Sequence, residues 1–324
     1  MRPRSVLFTL LAVWLGAEYS FAVRIIQSND DGWAELYLRS FHDALIDAGH
    51  DAVVSAPADD KSGTGESLVV SKICPVSSFT RCSSGSKGRR PGPRREPCQY
   101  KSCAANSPPF GSNGTSPRLN WVNSFPVTAM RYGINCFGPG IWDGRPAELA
   151  VAGPNLGTNG ALSMFQSGTI SAAVYAAHVA RIPAIAFSGA SLGSLPWNTS
   201  PSPRRSSVYA QLATILVDAI VASGPPYLPD DIFLNVNFPK VEGACQEVGD
   251  FKWVMSRINP GMFSARDTVI CGTNRLPTNW QVMRSGGCRI SLSVADASDR
   301  TTASADKQEV VAKKLWGMWS CVLP

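Results

Sequence analysis

The chain has 324 residues, of which 44% are hydrophobic and 17% are charged, so it is typical of a globular protein rather than a disordered one. This length is enough for one large domain with a sizeable core. The formal net charge of +6 comes without aromatic interleaving or a binding-module signature, so no nucleic-acid partner is expected.

The N-terminal segment has the pattern of a secretory signal peptide. Arg2 and Arg4 precede an apolar stretch from Val6 to Leu15, and the segment has a small-residue end at Ser20 and Ala22. The apolar stretch is shorter than the roughly 20 residues that a spanning helix needs. We therefore predict a signal peptide over 1–22, a secreted (extracellular) protein and no membrane partner.

Cysteines and glycosylation sequons agree with export. All nine cysteines follow the N-terminal segment, and in an oxidising compartment most should form disulfides. Nine is odd, so at least one cysteine is expected to be free or intermolecular. Sequons at Asn113 and Asn198 predict a glycoprotein with surface loops at both positions.

The first elements read as a strand, a helix and a second strand. The run "VRIIQSND" is a buried strand, an amphipathic stripe from Trp33 to Ala48 is a helix, and "DAVVSAP" is the next strand. Such a βαβ unit predicts a parallel sheet whose ligands bind at the carboxyl ends of the strands. Asp30 and Asp31 follow the first strand at such an end.

The second strand leads into the loop "DDKSGTGES" and then into a basic insert rich in Cys, Pro, Gly and Ser over residues 74–120. This insert holds eight Lys/Arg against Glu96 alone. We predict a solvated loop, which beside a catalytic mouth could steer anionic substrates.

The remaining elements complete one domain over residues 23–324. In chain order they are a strand end and helix in "WVNSFPVTAMRYGI", a strand in "AELAVAG", a helix in "QSGTISAAVYAAHVAR", a strand in "IPAIAFSGA", a helix in "SSVYAQLATILVDAIVASG" and a strand in "IFLNVNFP". The C-terminal extension 240–324 is predicted to hold short strands and turns, with a last helix near Lys307–Trp316. The fold class predicted is α/β: a Rossmann-like three-layer sandwich with a mostly parallel sheet.

Four motifs at the predicted strand ends resemble the SurE family of stationary-phase survival phosphatases and 5′-nucleotidases. They are "SNDDG" at 28–32, "APADDKSG" at 56–63, "AGPN" at 152–155 and "SGT" at 167–169. Each is weak alone, but their order and spacing make the combination specific. The resemblance runs from Val23 to Pro239 and is strongest to the secreted fungal branch.

The resemblance implies a metal site and a phosphate site. A divalent metal would be held by Asp30, Asp31, Ser62 and Asn155, with the two aspartates as catalytic residues. This all-oxygen donor set suits Mg²⁺ or Mn²⁺, with Ca²⁺ as an alternative, and does not suit zinc. The phosphate of the substrate would be bound at a helix start by the residues Ser167, Gly168, Thr169 and Asn159.

The activity implied is metal-dependent hydrolysis of phosphate monoesters, such as nucleoside monophosphates, by activated water. Gln166 stands where many bacterial members have a histidine, and it cannot exchange a proton near neutral pH. Proton transfer would fall to water at the metal and an Asp carboxylate. The resemblance also leaves a homodimer open, since members of the family commonly dimerise through C-terminal extensions.

Two other functions fit parts of the sequence. A serine esterase is suggested by "GASLG" at 189–193 with Ser191 as nucleophile, but no helix pattern follows directly and no histidine occurs after His178. A secreted binding or surface protein without catalytic activity is the other alternative, because Gln166 and the irregular insert depart from the family pattern.

Overall fold

The computed structural model describes residues 22–65, 92–261 and 263–321. The predicted signal peptide, apart from Ala22, and the first part of the basic insert, up to Pro91, lie outside the described residues. Across the described residues, no helix combines the length and the apolar character that crossing a membrane requires.

Nine strands of the described residues form one sheet, in the spatial order β3-β4-β2-β1-β5-β6-β7-β9-β8. Their bounds are β1 Arg24–Ser28, β2 Asp51–Pro57, β3 Phe110–Ser112, β4 Leu119–Val122, β5 Leu149–Leu156, β6 Ala184–Gly189, β7 Ile232–Phe238, β8 Lys252–Ser256 and β9 Arg289–Asp296.

The centre of the sheet is parallel, as predicted. Strands β4, β2, β1, β5, β6 and β7 run in one direction, and their carboxyl ends share one edge. Strand β3 is antiparallel to β4, and β9 is antiparallel to β7. The mostly parallel α/β sheet is therefore confirmed, with antiparallel pairs only towards its two sides.

The helices of the described residues cover both faces of this sheet. Their bounds are α1 Leu36–Asp47, α2 Pro126–Tyr132, α3 Gly138–Ile141, α4 Gly168–Val174, α5 Arg204–Ala222, α6 Asn279–Arg284 and α7 Ala305–Lys314. A π-helical turn, Gly133–Phe137, joins α2 to α3, and another, Tyr175–Val179, continues α4.

Alternation along the strands produces three layers. In β5, Leu149 and Val151 pack with α1 and α5 on one face, whereas Ala150 and Ala152 pack with α2 and α4 on the other. This period of two is the pattern of a strand that is buried on both sides. The small side chains on the second face allow α4 to lie close to the sheet.

The C-terminal extension is more regular than predicted. Strands β8 and β9 continue the main sheet, and Cys245–Cys288 and Cys271–Cys321 are disulfide-bonded. The last helix, α7, lies where the sequence placed it. Beyond β8, Trp319 forms a backbone bridge with Trp253, so the C-terminal segment meets the outer strand at this residue.

The described part of the insert is also more structured than a solvated loop. It contains a 3₁₀ turn, Gln99–Lys101, next to the disulfide Cys98–Cys103, and it contributes β3. Cys136 is disulfide-bonded as well. The expectation that most cysteines are paired is therefore confirmed for the described residues.

The disulfide Cys271–Cys321 closes a much longer loop than Cys98–Cys103, with 50 residues of sequence separation against 5. We expect Cys271→Ser with Cys321→Ser to lower the free energy of unfolding by about 4 kcal/mol, and Cys98→Ser with Cys103→Ser by about 2 kcal/mol, since the loss follows loop length. Denaturant unfolding measures both. Equal losses in the two double variants would contradict an origin in loop closure.

Candidate active site at the carboxyl edge of the sheet

Three loops meet where β1, β2 and β5 end. Asp30 and Asp31 follow β1 directly, and both are buried, with 2% of each residue exposed. The backbone N–H of Lys61, in the loop after β2, donates to the carbonyl of Asp30 at 2.7 Å. The N–H of Gly65 in the same loop donates to the carbonyl of Gln166 at 2.9 Å. The loop after β2 is thus fixed to both of the others.

Asp31 contacts Ser62, a predicted metal ligand, and Leu156, the neighbour of the predicted ligand Asn155. Its Oδ1 accepts a hydrogen bond from the hydroxyl of Ser62 at 3.1 Å, and its Oδ2 accepts one from the N–H of Leu156 at 2.9 Å. The adjacent Asn155 donates its amide hydrogen to the carbonyl of Gly157 at 2.8 Å, which leaves the amide oxygen available as a ligand. The structure therefore brings these predicted ligands to one place.

Asp30 is held by the start of α4. Its Oδ2 accepts from the N–H of Gly168 at 3.1 Å, and its Oδ1 accepts from the hydroxyl of Thr169. A Cβ at position 168 would lie 2.7 Å from Cγ of Pro126 and 2.9 Å from Cβ of Asp30, so this approach requires glycine. The positive end of α4 therefore stabilises the Asp30 carboxylate.

The other two residues predicted to bind phosphate are also engaged within the protein. Ser167 caps α4, since its Oγ accepts from the N–H of Ile170 at 3.2 Å. Asn159 donates its backbone N–H to Oδ1 of Asn237 at 2.6 Å and its side-chain amide to Oγ of Ser188 at 2.7 Å. Asn159 thus lies at the carboxyl ends of β6 and β7, to one side of the aspartate pair.

The negative charge of the aspartate pair is not balanced by a cationic side chain of the described residues. Burial raises the pKa of Asp30; burial and the charges of Asp30 and Glu35 raise the pKa of Asp31 well above its ordinary value. Among the residues that the structure describes, no lysine, arginine or histidine forms an ion pair with either carboxylate. Two adjacent buried carboxylates of this kind fit a bound cation.

The donor set selects the class of cation. The described residues contain no cluster of three or more His, Cys, Asp or Glu side chains that could hold a metal ion. A metal at this site would rely on two carboxylates together with the neutral oxygens of Ser62 and Asn155. Hard cations such as Mg²⁺, Mn²⁺ or Ca²⁺ accept such ligands, whereas zinc prefers nitrogen and sulfur.

Asn29 supports both aspartates, a role that its position in the motif alone did not reveal. It is fully buried. Its Oδ1 accepts from the N–H of Asp30 at 2.9 Å, and its Nδ2 donates to Oδ2 of Asp31 at 3.0 Å. The adjacency of an amide to two carboxylates in "SNDDG" is the signal that could have revealed this orienting contact.

Glu35 is a second site residue that the sequence did not single out. Its buried carboxylate caps α1 by accepting from the N–H of Tyr37 at 2.5 Å, and it also accepts from the N–H of Leu195 at 3.4 Å. Burial raises the pKa of Glu35 to about 7. Glu35 therefore joins α1 to the loop after β6, residues 190–203, which borders the site.

The loop after β6 does not form a nucleophile elbow. The next helix, α5, begins only at Arg204, and Oγ of Ser191 accepts from the hydroxyl of Tyr209 at 2.8 Å and from the N–H of Val241 at 3.2 Å. A serine esterase would need a tight strand-to-helix turn at Ser191 and a histidine base, and Ser191 has neither.

The three histidines lie away from the aspartate pair. His42 is buried in α1 with a pKa lowered to about 4 by burial and nearby arginines, and His50 contacts Asp218 of α5 at 2.8 Å. His178 contacts Asp231 at 2.9 Å, at the opposite edge of the sheet. The contacts of all three histidines therefore lie outside the arrangement around the pair.

The prediction of a solvated basic insert is wrong for Arg94. Arg94 is buried and pairs with Asp59 at 2.7 Å, and Arg118 pairs with Asp51. Arg95 is exposed and remains a candidate for substrate steering. Those insert residues that precede position 92 lie outside the described residues.

Comparison with known proteins identifies relatives of this chain. The family model described as "Survival protein SurE" matches residues 25–257. An acid phosphatase from Yarrowia lipolytica is 29% identical over 298 residues, which cover 83% of this chain and 78% of the relative. A 5′-nucleotidase SurE from Nostoc sp. is 29% identical over 222 residues, covering 68% of this chain and 65% of the relative.

A solved structure supports the same fold. The SurE protein from Aquifex aeolicus superposes with a TM-score of 0.54 at 18% identity, over 90% of this chain and 98% of that one. At this identity the similarity establishes the architecture of the sheet and its helices alone.

Glu35 should make stability depend on pH. Its folded-state pKa of about 7 lies above the ordinary value of 4.5, so its stabilising contribution is complete below pH 4.5 and is lost as the pH rises through 7. We compare the unfolding free energy of Glu35→Gln with that of the unsubstituted protein at pH 5 and at pH 8. The difference between the two proteins should shift by about 2–3 kcal/mol in favour of the variant as the pH rises. Denaturant titrations at the two pH values measure this, and a constant difference would contradict the assignment.

Proposed function

The chain belongs to the SurE family, and from that premise we propose that it is a divalent-metal-dependent phosphomonoesterase, of the acid phosphatase or 5′-nucleotidase type, that hydrolyses phosphate monoesters such as nucleoside monophosphates. The observation that carries the proposal is the buried pair Asp30 and Asp31, which lacks a basic partner among the described residues and lies against Ser62 and the strand end at Asn155. Its relatives named acid phosphatase and 5′-nucleotidase support the same activity.

Asp30, Asp31, Ser62 and Asn155 would hold the metal. When bound, a divalent cation supplies a Lewis acid that polarises a phosphate ester and lowers the pKa of water. Hydrolysis then requires water to attack phosphorus in line with the leaving oxygen.

The surrounding residues orient and balance the carboxylates. Asn29 fixes the rotation of Asp31, while Gly168 and Thr169 fix Asp30. Gln166 cannot accept a proton, so an Asp carboxylate is the group of this site that can take the proton of the attacking water.

We place the phosphate near the start of α4, at Ser167, Gly168 and Thr169, with Asn159 beside it. The positive end of this helix faces the site, and its contacts with Asp30 mean that carboxylate and phosphate share one stabilising element. The substrate partner is a small phosphorylated molecule.

We also propose export, after cleavage behind Ala22, and glycosylation at Asn113 or Asn198, as in a fungal-type secreted member. The disulfides at Cys98–Cys103, Cys245–Cys288 and Cys271–Cys321 support an oxidising compartment.

A substrate panel on metal-free protein tests the activity. We expect no phosphatase activity with a chelator present, and activity with added Mg²⁺ or Mn²⁺ on nucleoside monophosphates, sugar phosphates or aryl phosphates. A folded protein that binds Mn²⁺ but hydrolyses none of these would contradict the proposal and favour the alternative of a secreted binding or surface protein.

Asp30→Asn should lower kcat by about 100-fold or more, because it removes one of two anionic ligands while preserving side-chain size. Metal-free Asp30→Asn should also be at least as stable as the unsubstituted protein at pH 8, since a buried negative charge is gone. Asp47→Asn, the same change at an exposed position of α1, is the matched control and should be neutral. Full turnover of Asp30→Asn at saturating metal would exclude Asp30 as a ligand.

A further inference from the structure

Arg94, in the described part of the insert, uses every N–H of its guanidinium. Nη1 donates to Oδ2 of Asp59 at 2.7 Å and to Oδ1 of Asn123 at 3.0 Å. Nη2 donates to Oδ1 of Asp59 at 2.9 Å and to the carbonyl of Pro97 at 2.6 Å, and Nε donates to the carbonyl of Glu96 at 3.1 Å. With 5% of its side chain exposed, Arg94 is a buried, saturated cation and cannot act as a solvated charge.

Asp59 opens the loop that carries Ser62. The neighbouring Asp60 accepts from the N–H of Ser62 at 2.7 Å, and Lys61 donates its N–H to the carbonyl of Asp30 at 2.7 Å. Each residue between Asp59 and Ser62 therefore has a fixed contact. A displacement of Asp59 would be transmitted over three residues to the Ser62 hydroxyl.

The turn that follows Arg94 also packs on the loop after β1. Gln99 donates its N–H to Oδ1 of Asp59 at 3.1 Å, and its Oε1 lies so close to Gly32 that a Cβ there would be 2.1 Å from it. Gly32 has φ +102°, a conformation that glycine adopts without strain. The disulfide Cys98–Cys103 closes this turn. The segment 94–103 thus contacts the loops of both Ser62 and Asp31.

We propose that Arg94 is a positioning residue: through its paired hydrogen bonds to Asp59 it fixes the Ser62 loop against Asp31, and so sets the affinity of the site for a divalent cation. The inference rests on the proposed function, because the cation is part of it. A planar guanidinium with two parallel bonds to one carboxylate fixes an orientation that a lysine ammonium cannot reproduce.

The chain offers a matched control at the other end of the same strand. Arg118 pairs with Asp51, which begins β2, whereas Arg94 pairs with Asp59, which follows the end of β2. Both pairs attach the insert region to β2, but only the second adjoins the site. Loss of either should lower stability; only loss of the second should change the site.

The decisive measurement is calorimetric titration of metal-free protein with Mn²⁺, at a temperature where circular dichroism shows each variant to be folded. Arg94→Ala should weaken Mn²⁺ binding by about 10-fold or more, as is usual when the residues that orient a ligand are lost. Arg94→Lys should weaken it by a smaller factor. Arg118→Ala should leave the affinity within a factor of two (on the order of experimental error), although its unfolding free energy falls.

Asp59 provides the test that Arg94 acts through it. Asp59→Ala should weaken Mn²⁺ binding as Arg94→Ala does, and the double variant should be no weaker than either single variant, since both remove the same contact. If the two losses instead multiply, Arg94 does not act through Asp59 and the proposal is overturned.

The variant Arg95→Ala tests whether Arg94 acts by positioning the Ser62 loop or by its positive charge. It is the exposed neighbour of Arg94, so Arg95→Ala removes the same formal charge without touching Asp59. If Arg94 acted only through its positive charge, Arg94→Ala and Arg95→Ala would both strengthen Mn²⁺ binding, because like charges repel, and the effect would fade with salt. We expect Arg95→Ala to leave Mn²⁺ affinity unchanged.

Two failures are distinguishable. If the unsubstituted protein binds no divalent cation, the proposed function is wrong and the inference falls with it. If it binds Mn²⁺ and Arg94→Ala binds as tightly as Arg118→Ala does, the metal site stands and the positioning role of Arg94 is overturned. If Arg94→Ala does not fold, Arg94→Lys and Asp59→Asn carry the same comparison.

Discussion

The repulsion between two buried neighbouring carboxylates is the constraint on which the carboxyl edge of this sheet is built. Asp30 and Asp31 have 2% exposure each, and burial raises the pKa of both. The surrounding loops donate hydrogen bonds to these carboxylates from Asn29, Ser62, the backbone of Leu156 and the start of α4. Donors of this kind lower the cost of the charge without cancelling it, because they are dipoles and not cations. A divalent cation would complete the balance.

Much of this arrangement could be predicted from the sequence, because it depends on local signals. A buried strand followed at once by "SNDDG" fixes which edge the aspartates occupy, and the small residues of "SGTISAAV" favour a helix close to the sheet. The burial of Arg94 could not be predicted, since its partner Asp59 lies 35 residues away and a run of arginines in a Pro/Gly-rich segment is usually solvated. The strands β8 and β9 were also missed as members of the main sheet, because a pattern of alternation does not say which strand is the neighbour.

The walls of the site come from segments that carry none of its proposed ligands. The insert turn and the loop after β6 meet where the hydroxyl of Tyr100 hydrogen-bonds to Ser194. Glu35 holds the second of these segments to α1, and Arg94 holds the first to the loop after β2. The proposed ligands therefore lie at strand ends and in the short loop after β2, while longer segments surround them. Substitutions in these surrounding segments could therefore change which substrate fits without changing the aspartate pair.

The C-terminal segment has a consequence for the protein in concentrated solution. Its residue Ser320 donates an N–H to the carbonyl of Trp253 at 2.7 Å, on the outer strand β8, and Cys271–Cys321 retains the segment there. At the opposite side of the sheet, β3 has only three residues. An uncovered edge strand is a template on which a second copy can add its own strand and begin to aggregate. One edge of this sheet is too short for such pairing, and the other is blocked at Trp253 by a segment that a disulfide holds in place.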